Sequence, residues 1–336
     1  MKFTLHAISG SVAMRKRPVF LACASLLLLS ACGVASADPT GSPKPVVVLP
    51  KGAEIVHLAP SSSSTDDSCD PTASLAPPTT MPTPGNMPQG SFMAQILKRG
   101  YLRVGVDQNT DLWGYRDPAT GALTGFDIDM LDQVSQAIFG SPGHIDPVIV
   151  PIADRAQYVK SGKVDILAET MTITCAREKL VDFSTVYYLA GQRILVPTNS
   201  TINGTPDLAG KRVCAAATST SLQNLANLRE HIQLWGVDNN TDCLVMLEQG
   251  QVDAISTDDT ILQGLAAQDP NTKLVGQIFS PEPYGMAISK LHPEFTSFVN
   301  GVLAEVRANT WTSIYDSTIL AATGIPAPPI PAAKYR

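Results

Sequence analysis

Six cysteines and five histidines are the side chains in this sequence best suited to nucleophilic, acid–base or metal chemistry. Their spacing supports none of it. No CxxC or HxxxH pair offers zinc ligands at a workable separation, and no GxSxG or HExxH motif occurs. A hydrolase needs a nucleophile with a base beside it. His6 and His57 fall in N-terminal segments that are not expected to form a core, and His144, His231 and His292 fall in expected loops or on an exposed helix. Catalysis and a metal site are therefore not expected, nor is a cofactor. What remains is binding chemistry. Thr218-Ser219-Thr220-Ser221 precedes Leu222, Leu225 and Leu228 at helical spacing. A helix opened there points unpaired N–H groups and a positive dipole end at whatever lies before it, which suits an anion or a carbonyl oxygen. Simple capping by the hydroxyls is the alternative use.

The N-terminus reads as an export signal. Arg15, Lys16 and Arg17 precede an apolar run from Val19 to Ala31. At about a dozen residues the run is well short of the ~20 that a membrane-spanning helix needs. It ends in Leu29-Ser30-Ala31-Cys32-Gly33, which resembles a bacterial lipobox. Residues 1–31 are then a signal peptide, and acylated Cys32 anchors the chain to the outer face of the cell membrane. Cleavage near Ala35-Ser36-Ala37 would instead release a secreted protein. Residues 32–90 are rich in proline and serine, too poor in apolar surface to fold alone, and read as a tether. Within it Val46-Val47-Val48-Leu49 and Ile55-Val56 form an apolar patch able to dock on a folded body. The formal net charge of −6 argues against a nucleic-acid partner.

From Phe92 onward strands and helices alternate, the pattern of an α/β fold with a mainly parallel sheet. A helix with Met93, Ile96 and Leu97 on one face stops at Gly100. Strands follow at 101–107, 147–150 and 164–168, with helices carrying Met130, Leu131, Val134 and Ile138 and running near Arg155 to Lys160. Arg193–Val196 reads as a crossing strand, and near Thr198 the pattern restarts. The restart predicts strands at 213–216, 243–245 and 252–256 and a helix at 246–249. Pro283–Ile288 reads as a strand returning to the first half, followed by a last helix at 295–308. The chain thus divides into a first lobe at 91–196 and 283–325, a second lobe at 197–282 inserted into it, and a Pro-rich tail at 326–336. Ligands of such a two-lobed layout sit in the cleft at the hinge. Cys23 leaves with the signal peptide and Cys32 is lipidated, so Cys69, Cys175, Cys214 and Cys243 remain, an even number in an oxidising space. Four cysteines allow three pairings. Cys214 and Cys243 share the second lobe, which leaves Cys69 to join Cys175.

Several segments resemble the bacterial extracellular solute-binding proteins of family 3, receptors of polar amino-acid ABC transporters. The cues are Leu102-Arg103-Val104-Gly105-Val106-Asp107, Gly125-Phe126-Asp127-Ile128-Asp129, Gly162-Lys163-Val164-Asp165-Ile166, Met171-Thr172-Ile173-Thr174 with Arg177, Val181-Asp182-Phe183-Ser184, Asp207-Leu208-Ala209-Gly210-Lys211 and Gly250-Gln251-Val252-Asp253-Ala254. The resemblance spans about 96–315 and is strongest to glutamine/glutamate-binding lipoproteins. It implies a type II periplasmic-binding-protein-like fold with two crossing strands at the hinge. It also implies a monomeric receptor, not an enzyme, that hands an amino acid to a membrane permease. A membrane sensor is the alternative partner, and a cyclohexadienyl-dehydratase-like enzyme a distant alternative on the same fold. By the same resemblance Arg177 meets the ligand α-carboxylate, supported by the Thr172 N–H, because guanidinium supplies a planar, permanently charged fork. Asp258, the Thr170 carbonyl and the Thr172 hydroxyl meet the ammonium, with Asp259 nearer the cap of the next helix. Ser219 and Thr220 approach from the second lobe, where Thr218 and Thr220 stand at positions the family usually fills with Gly; it often has Gly at Thr170 as well. Asp107 faces the ligand side chain, with Trp113 and Tyr187 as apolar walls. A glutamate or aspartate side chain needs a cation, for which Arg155, Arg116 and Arg193 are candidates. Amide and carboxylate ligands are not separated, with glutamate, aspartate and asparagine favoured as a group and glutamine kept beside them.

Overall fold

The computed structural model describes residues 48–61 and 69–336. The basic and apolar N-terminal runs, Cys32, and Val46 and Val47 of the apolar patch lie outside the described residues. Among the described residues no helix is long and apolar enough to cross a membrane.

Two sheets form the framework. The first has five strands in the order Ile145–Ile149, Leu102–Val106, Ile166–Leu167, Ala287–Ile288, Asp182–Phe183. Its first three strands run parallel, and Ala287–Ile288 runs antiparallel to both neighbours. Leu102, Val104, Val106 and Ile166 are fully buried, as expected of strands covered on both faces by helices. The second sheet has six strands in the order Glu54–Ile55, Gln233–Val237, Arg212–Ala216, Ala254–Asp258, Tyr188–Pro197, Thr272–Tyr284. Arg212–Ala216 is parallel to both its neighbours. The long strands Tyr188–Pro197 and Thr272–Tyr284 pair antiparallel from Tyr188↔Tyr284 to Pro197↔Thr272. Their ends at Tyr188 and Tyr284 pack in the core beneath the first sheet, while Leu195 packs in a separate core of the second. These are the crossing strands, and each sheet carries its own core, so two lobes share a two-stranded hinge.

Local signals set the helix ends. Ser91 caps Phe92–Arg99 by accepting from the Ala94 N–H, and Gly100 closes that helix in the left-handed region at φ 91°. Phe126–Phe139 begins after Gly125 at φ 127°, where a Cβ would lie 2.4 Å from the Trp113 carbonyl oxygen. Only glycine fits that junction. The helix starts at Phe126, four residues before the expected Met130. One assignment is overturned outright: Cys243–Val245 is not a strand. The strand is Gln233–Val237 and the helix is Asn240–Glu248, opened by a capping box in which Asn239 and Asp242 exchange hydrogen bonds. Helical placement of Cys243 brings it to Cys214 on the adjoining strand. The disulfides Cys214–Cys243 and Cys69–Cys175 have the pairing expected from the lobes.

The proline-rich segment, expected to be a tether, packs on the folded body. Glu54–Ile55 adds an antiparallel edge strand to the second lobe, with the Val56 N–H donating to the Leu234 carbonyl at 3.0 Å. Cys69 is then bonded to Cys175 of the first lobe. Ala73–Ser74 pairs in parallel with Lys334–Tyr335, and Asn300 donates to Ser74 Oγ and the Leu75 carbonyl. Backbone pairing and one covalent link supply what the segment's poor apolar content cannot.

Candidate functional site

In both lobes the parallel strands end at the cleft. Leu102–Val106 delivers Asp107, Ile166–Leu167 delivers Glu169 to Thr172, and Ile145–Ile149 delivers Val150. From the other side Arg212–Ala216 leads to Thr218–Thr220, Gln233–Val237 to Asn239, and Ala254–Asp258 ends on Asp258. Carboxyl ends of parallel strands are where open α/β sheets bind ligands. A cavity of about 480 Å³ separates these edges, lined by Asp107, Asn109 and Val150 on one side and Ala217, Thr218 and Asn239 on the other. That lies within the roughly 300–1,000 Å³ of small-molecule sites. The lobes touch at its rim, where Asn109 Nδ2 donates to Asn239 Oδ1 at 3.4 Å.

A polar cluster joins lobes and hinge. Glu282, on the crossing strand and 1% exposed, accepts from the Thr172 hydroxyl at 2.6 Å and from the Thr220 hydroxyl at 2.8 Å. Asn224 Nδ2 donates to its second oxygen at 2.7 Å. One carboxylate thus ties a first-lobe residue to a second-lobe helix start. Asp258 is 3% exposed and accepts from the Tyr284 hydroxyl at 2.6 Å and the Ser221 hydroxyl at 3.3 Å. Burial, with the nearby Glu282 charge, pushes its carboxyl up to about 8. Asp259 accepts from the N–H groups of Gly191 and Thr260 instead. Arg177 donates from Nη1 to the Thr172 carbonyl at 2.7 Å. Among the described residues no carboxylate lies within ion-pair reach of it. Burial and the like charge of Arg155 lower its guanidinium to about 10, still protonated at neutral pH, while Glu282, Asp258 and Glu169 pull the other way.

A second charged group sits toward Asp107. Arg155 Nε lies 3.1 Å from Glu169 Oε1, both side chains buried. Asp127 accepts from the Tyr187 hydroxyl at 2.6 Å and from the Thr170 N–H at 2.8 Å. Burial raises Asp127 to about 7 and Glu169 to about 8. Thr170 has φ 42°, left-handed geometry that is strained for a β-branched residue and explains why glycine suits this position. Asp107 accepts from the N–H groups of Gln108 and Asn109 and from the Thr110 hydroxyl.

The structure brings Arg177, Thr172, Thr220 and Asp258 together. It places other expected residues elsewhere. Trp113 is 0% exposed and packs edge-on to Tyr188 and Tyr284 in the first-lobe core, and Tyr187, 1% exposed, is anchored on Asp127. Their ring area is used in the core, so neither forms a cleft wall. The Ser219 hydroxyl accepts from the Leu222 N–H and donates to the Ala216 carbonyl, which is capping. Arg116 is exposed and bonded to Gln108 and the Gly121 carbonyl, and Arg193 donates to the Gly276 carbonyl. Arg155 is beside the site but already holds Glu169. Sequence reasoning missed Glu282, Tyr284 and Glu169 as site residues. Glu282 stands immediately before the Pro283-Tyr284-Gly285 run that marks the returning strand, and a carboxylate on a hinge strand was the available signal.

Residues 102–320 match the family of bacterial extracellular solute-binding proteins, family 3. A glutamine-binding protein of Geobacillus stearothermophilus is 39% identical over 59% of this chain and 76% of its own length. The glutamate-binding protein GluB of Corynebacterium glutamicum is 30% identical over 67% of this chain and 80% of its own length. Among solved structures, an ancestral arginine-binding protein bound to glutamine is 33% identical, with a TM-score of 0.61 over 66% of this chain and 98% of that one. The solute receptor for L-cysteine of Neisseria gonorrhoeae is 26% identical, with a TM-score of 0.65 over 70% of this chain and 97% of that one. These relatives are substrate-binding transport proteins rather than enzymes. With its two-lobed α/β architecture and a family match over most of its length, this chain belongs to the bacterial extracellular solute-binding proteins of family 3.

Proposed function

We propose that the chain is a lipid-anchored receptor on the outer face of the cell membrane that captures a free polar α-amino acid between its lobes and presents it to the permease of an ABC importer. The observation that carries this reading is the convergence of half-buried Arg177 from the first lobe and buried Asp258 from the second on one polar cluster. Arg177 spends one side-chain donor on the Thr172 carbonyl and keeps the rest for the ligand carboxylate. Asp258 takes the ammonium together with the Thr172 oxygen, whose proton is committed to Glu282 and whose lone pairs are therefore available. A ligand held by both lobes draws them together, because only contacts made in the closed state favour closure. Of glutamate, aspartate, asparagine and glutamine, the amides fit better. Arg155, the one expected cation beside the site, is already matched by Glu169, so a side-chain carboxylate would meet Asp107 without a counter-charge.

The test is a thermal-shift screen of the domain from Ser36 onward, refolded to strip bound ligand, against the twenty amino acids, sugars and phosphate. A ligand at a thousandfold excess over Kd adds about 4 kcal/mol of stability. A shift with amino acids alone supports the reading, and no shift with any amino acid overturns it. The anchor is tested separately: Cys32→Ser should release the protein from the membrane into the medium.

A further inference from the structure

We propose that a two-stranded ribbon on the first lobe, Ala73–Ser74 with Lys334–Tyr335, positions Arg177, and that Cys69 and Arg336 are the positioning residues that bind its helical turn to the ribbon. The proposal rests on the amino-acid reading above and names what sets the strength of its carboxylate site.

Packing alone anchors the Arg177 turn poorly. Cys175–Glu178 is four residues long, and a single turn closes too few hydrogen bonds to be stable by itself. Ile173 and Val181 are buried on either side, but none of residues 174–180 is, and Ala176, Lys179 and Leu180 are exposed. Burial therefore fixes the ends of this stretch and leaves its middle to polar and covalent contacts. Within the turn the Thr174 hydroxyl accepts from the Arg177 N–H at 3.2 Å. Two further contacts come from outside residues 102–320, the span shared with the family. Cys69 is bonded to Cys175, the first residue of the turn, and Arg336 Nη1 lies 3.0 Å from Oε1 of Glu178, the last. Together they bracket Arg177.

Both contacts start from a fixed base. Arg336 donates its backbone N–H to the Ser74 carbonyl and Nη1 to the Ala73 carbonyl. The buried Ser74 hydroxyl donates to the Phe183 carbonyl at 2.6 Å and accepts from Asn300 Nδ2 at 2.8 Å. Phe183 belongs to the edge strand of the first-lobe sheet. The ribbon is thus tied to the sheet, and the turn to the ribbon. A guanidinium grips a carboxylate through two parallel hydrogen bonds, so the plane of its fork must be held. A turn that adopts its binding geometry about a tenth of the time binds about tenfold more weakly.

The experiment is calorimetric titration of ligand-stripped wild type, Cys69→Ser/Cys175→Ser, Arg336→Ala and Arg336→Lys, each well below its melting temperature. The probes are L-glutamine, L-asparagine, L-glutamate and L-aspartate, then the α-carboxamide of the tightest binder, which keeps the ammonium and side chain but lacks the carboxylate. Cys69→Ser/Cys175→Ser should weaken the amino acid by about tenfold or more and its carboxamide by less than about threefold. Arg336→Ala removes an ion pair open to solvent and should weaken the amino acid by about two- to fivefold, with the carboxamide unchanged and part of the loss recovered in Arg336→Lys. Equal losses for amino acid and carboxamide, or no loss, make the ribbon a support of the fold alone and overturn the proposal, leaving the receptor reading standing. If the double-serine protein does not fold, Arg336→Ala decides by the same comparison. Failure of all four amino acids to bind the wild type overturns the receptor reading itself, and this proposal with it.

Discussion

Removing Arg177 is the sharpest perturbation of the proposed mechanism. Its guanidinium keeps most of its donors uncommitted in a site shared with two buried carboxylates, Asp258 and Glu282, while its own helix, Cys175–Glu178, is secured by the Thr174 cap and the Cys69–Cys175 disulfide. The fold therefore has independent support, and the loss falls on binding. In Arg177→Ala the ligand carboxylate enters a desolvated pocket with no counter-charge. Breaking one partner of a buried charged pair costs about 3–5 kcal/mol, and every 1.4 kcal/mol is tenfold in Kd, so affinity should fall by about two to nearly four orders of magnitude. Arg177→Lys keeps the charge and loses the planar fork, and should recover only part of that loss. Calorimetric titration gives the affinities, and far-ultraviolet circular dichroism with a thermal melt reports the fold. An Arg177→Ala protein that melts normally and binds its amino acid within about threefold of wild type would refute the assignment of the carboxylate site.

Three further outcomes concern the scaffold. The chain-entropy model, applied to the sequence separations of 106 and 29 residues, assigns about 4.8 kcal/mol to Cys69–Cys175 and about 3.6 kcal/mol to Cys214–Cys243; replacing Cys69 and Cys175 by Ser should therefore lower the denaturation midpoint more than replacing Cys214 and Cys243, and the reverse order would count against the model here. Asp127, Glu169 and Asp258 are raised to about 7, 8 and 8 in the folded state, so the folded protein holds protons that the unfolded chain has released above about pH 4. Stability gained from these groups is complete below that pH and is lost as pH rises toward 8; melts of ligand-free protein should show a falling Tm from pH 5.5 to 8.5, and a rising Tm would falsify this assignment of protons. Gly125→Ala sets a Cβ 2.4 Å from the Trp113 carbonyl at φ 127° and should cost about 3 kcal/mol or more in a denaturant titration.

Much of the alternation of strands and helices was legible along the chain because it depends on local periodicity. Buried Leu102, Val104 and Val106 on one strand and the spaced apolar residues of Phe126–Phe139 announce themselves within a few residues. The misplaced strand at Cys243 shows the limit of that signal: Cys243, Leu244 and Val245 are apolar in succession, and the Asn239–Asp242 capping box that makes them helical depends on a side chain reaching back to the backbone. The docking of the proline-rich segment was foreshadowed by its Ile55-Val56 patch and by Cys69, but the strand it joins was not, since backbone pairing with Gln233–Val237 leaves no compositional mark on either partner.

The sequence by itself determined the alternation of strands and helices, the pairing of the cysteines, and Arg177 and Asp258 as the charged residues to watch. Only the tertiary structure decided what balances those charges. Glu282 reaches Thr172 across 110 positions, Arg155 is matched to Glu169 rather than free for a ligand, and Trp113 and Tyr187 turn into the core. The reason is that periodicity is a property of neighbours along the chain, whereas a buried charge is defined by whatever the fold brings within a few ångströms of it, and no local pattern records which residue that is.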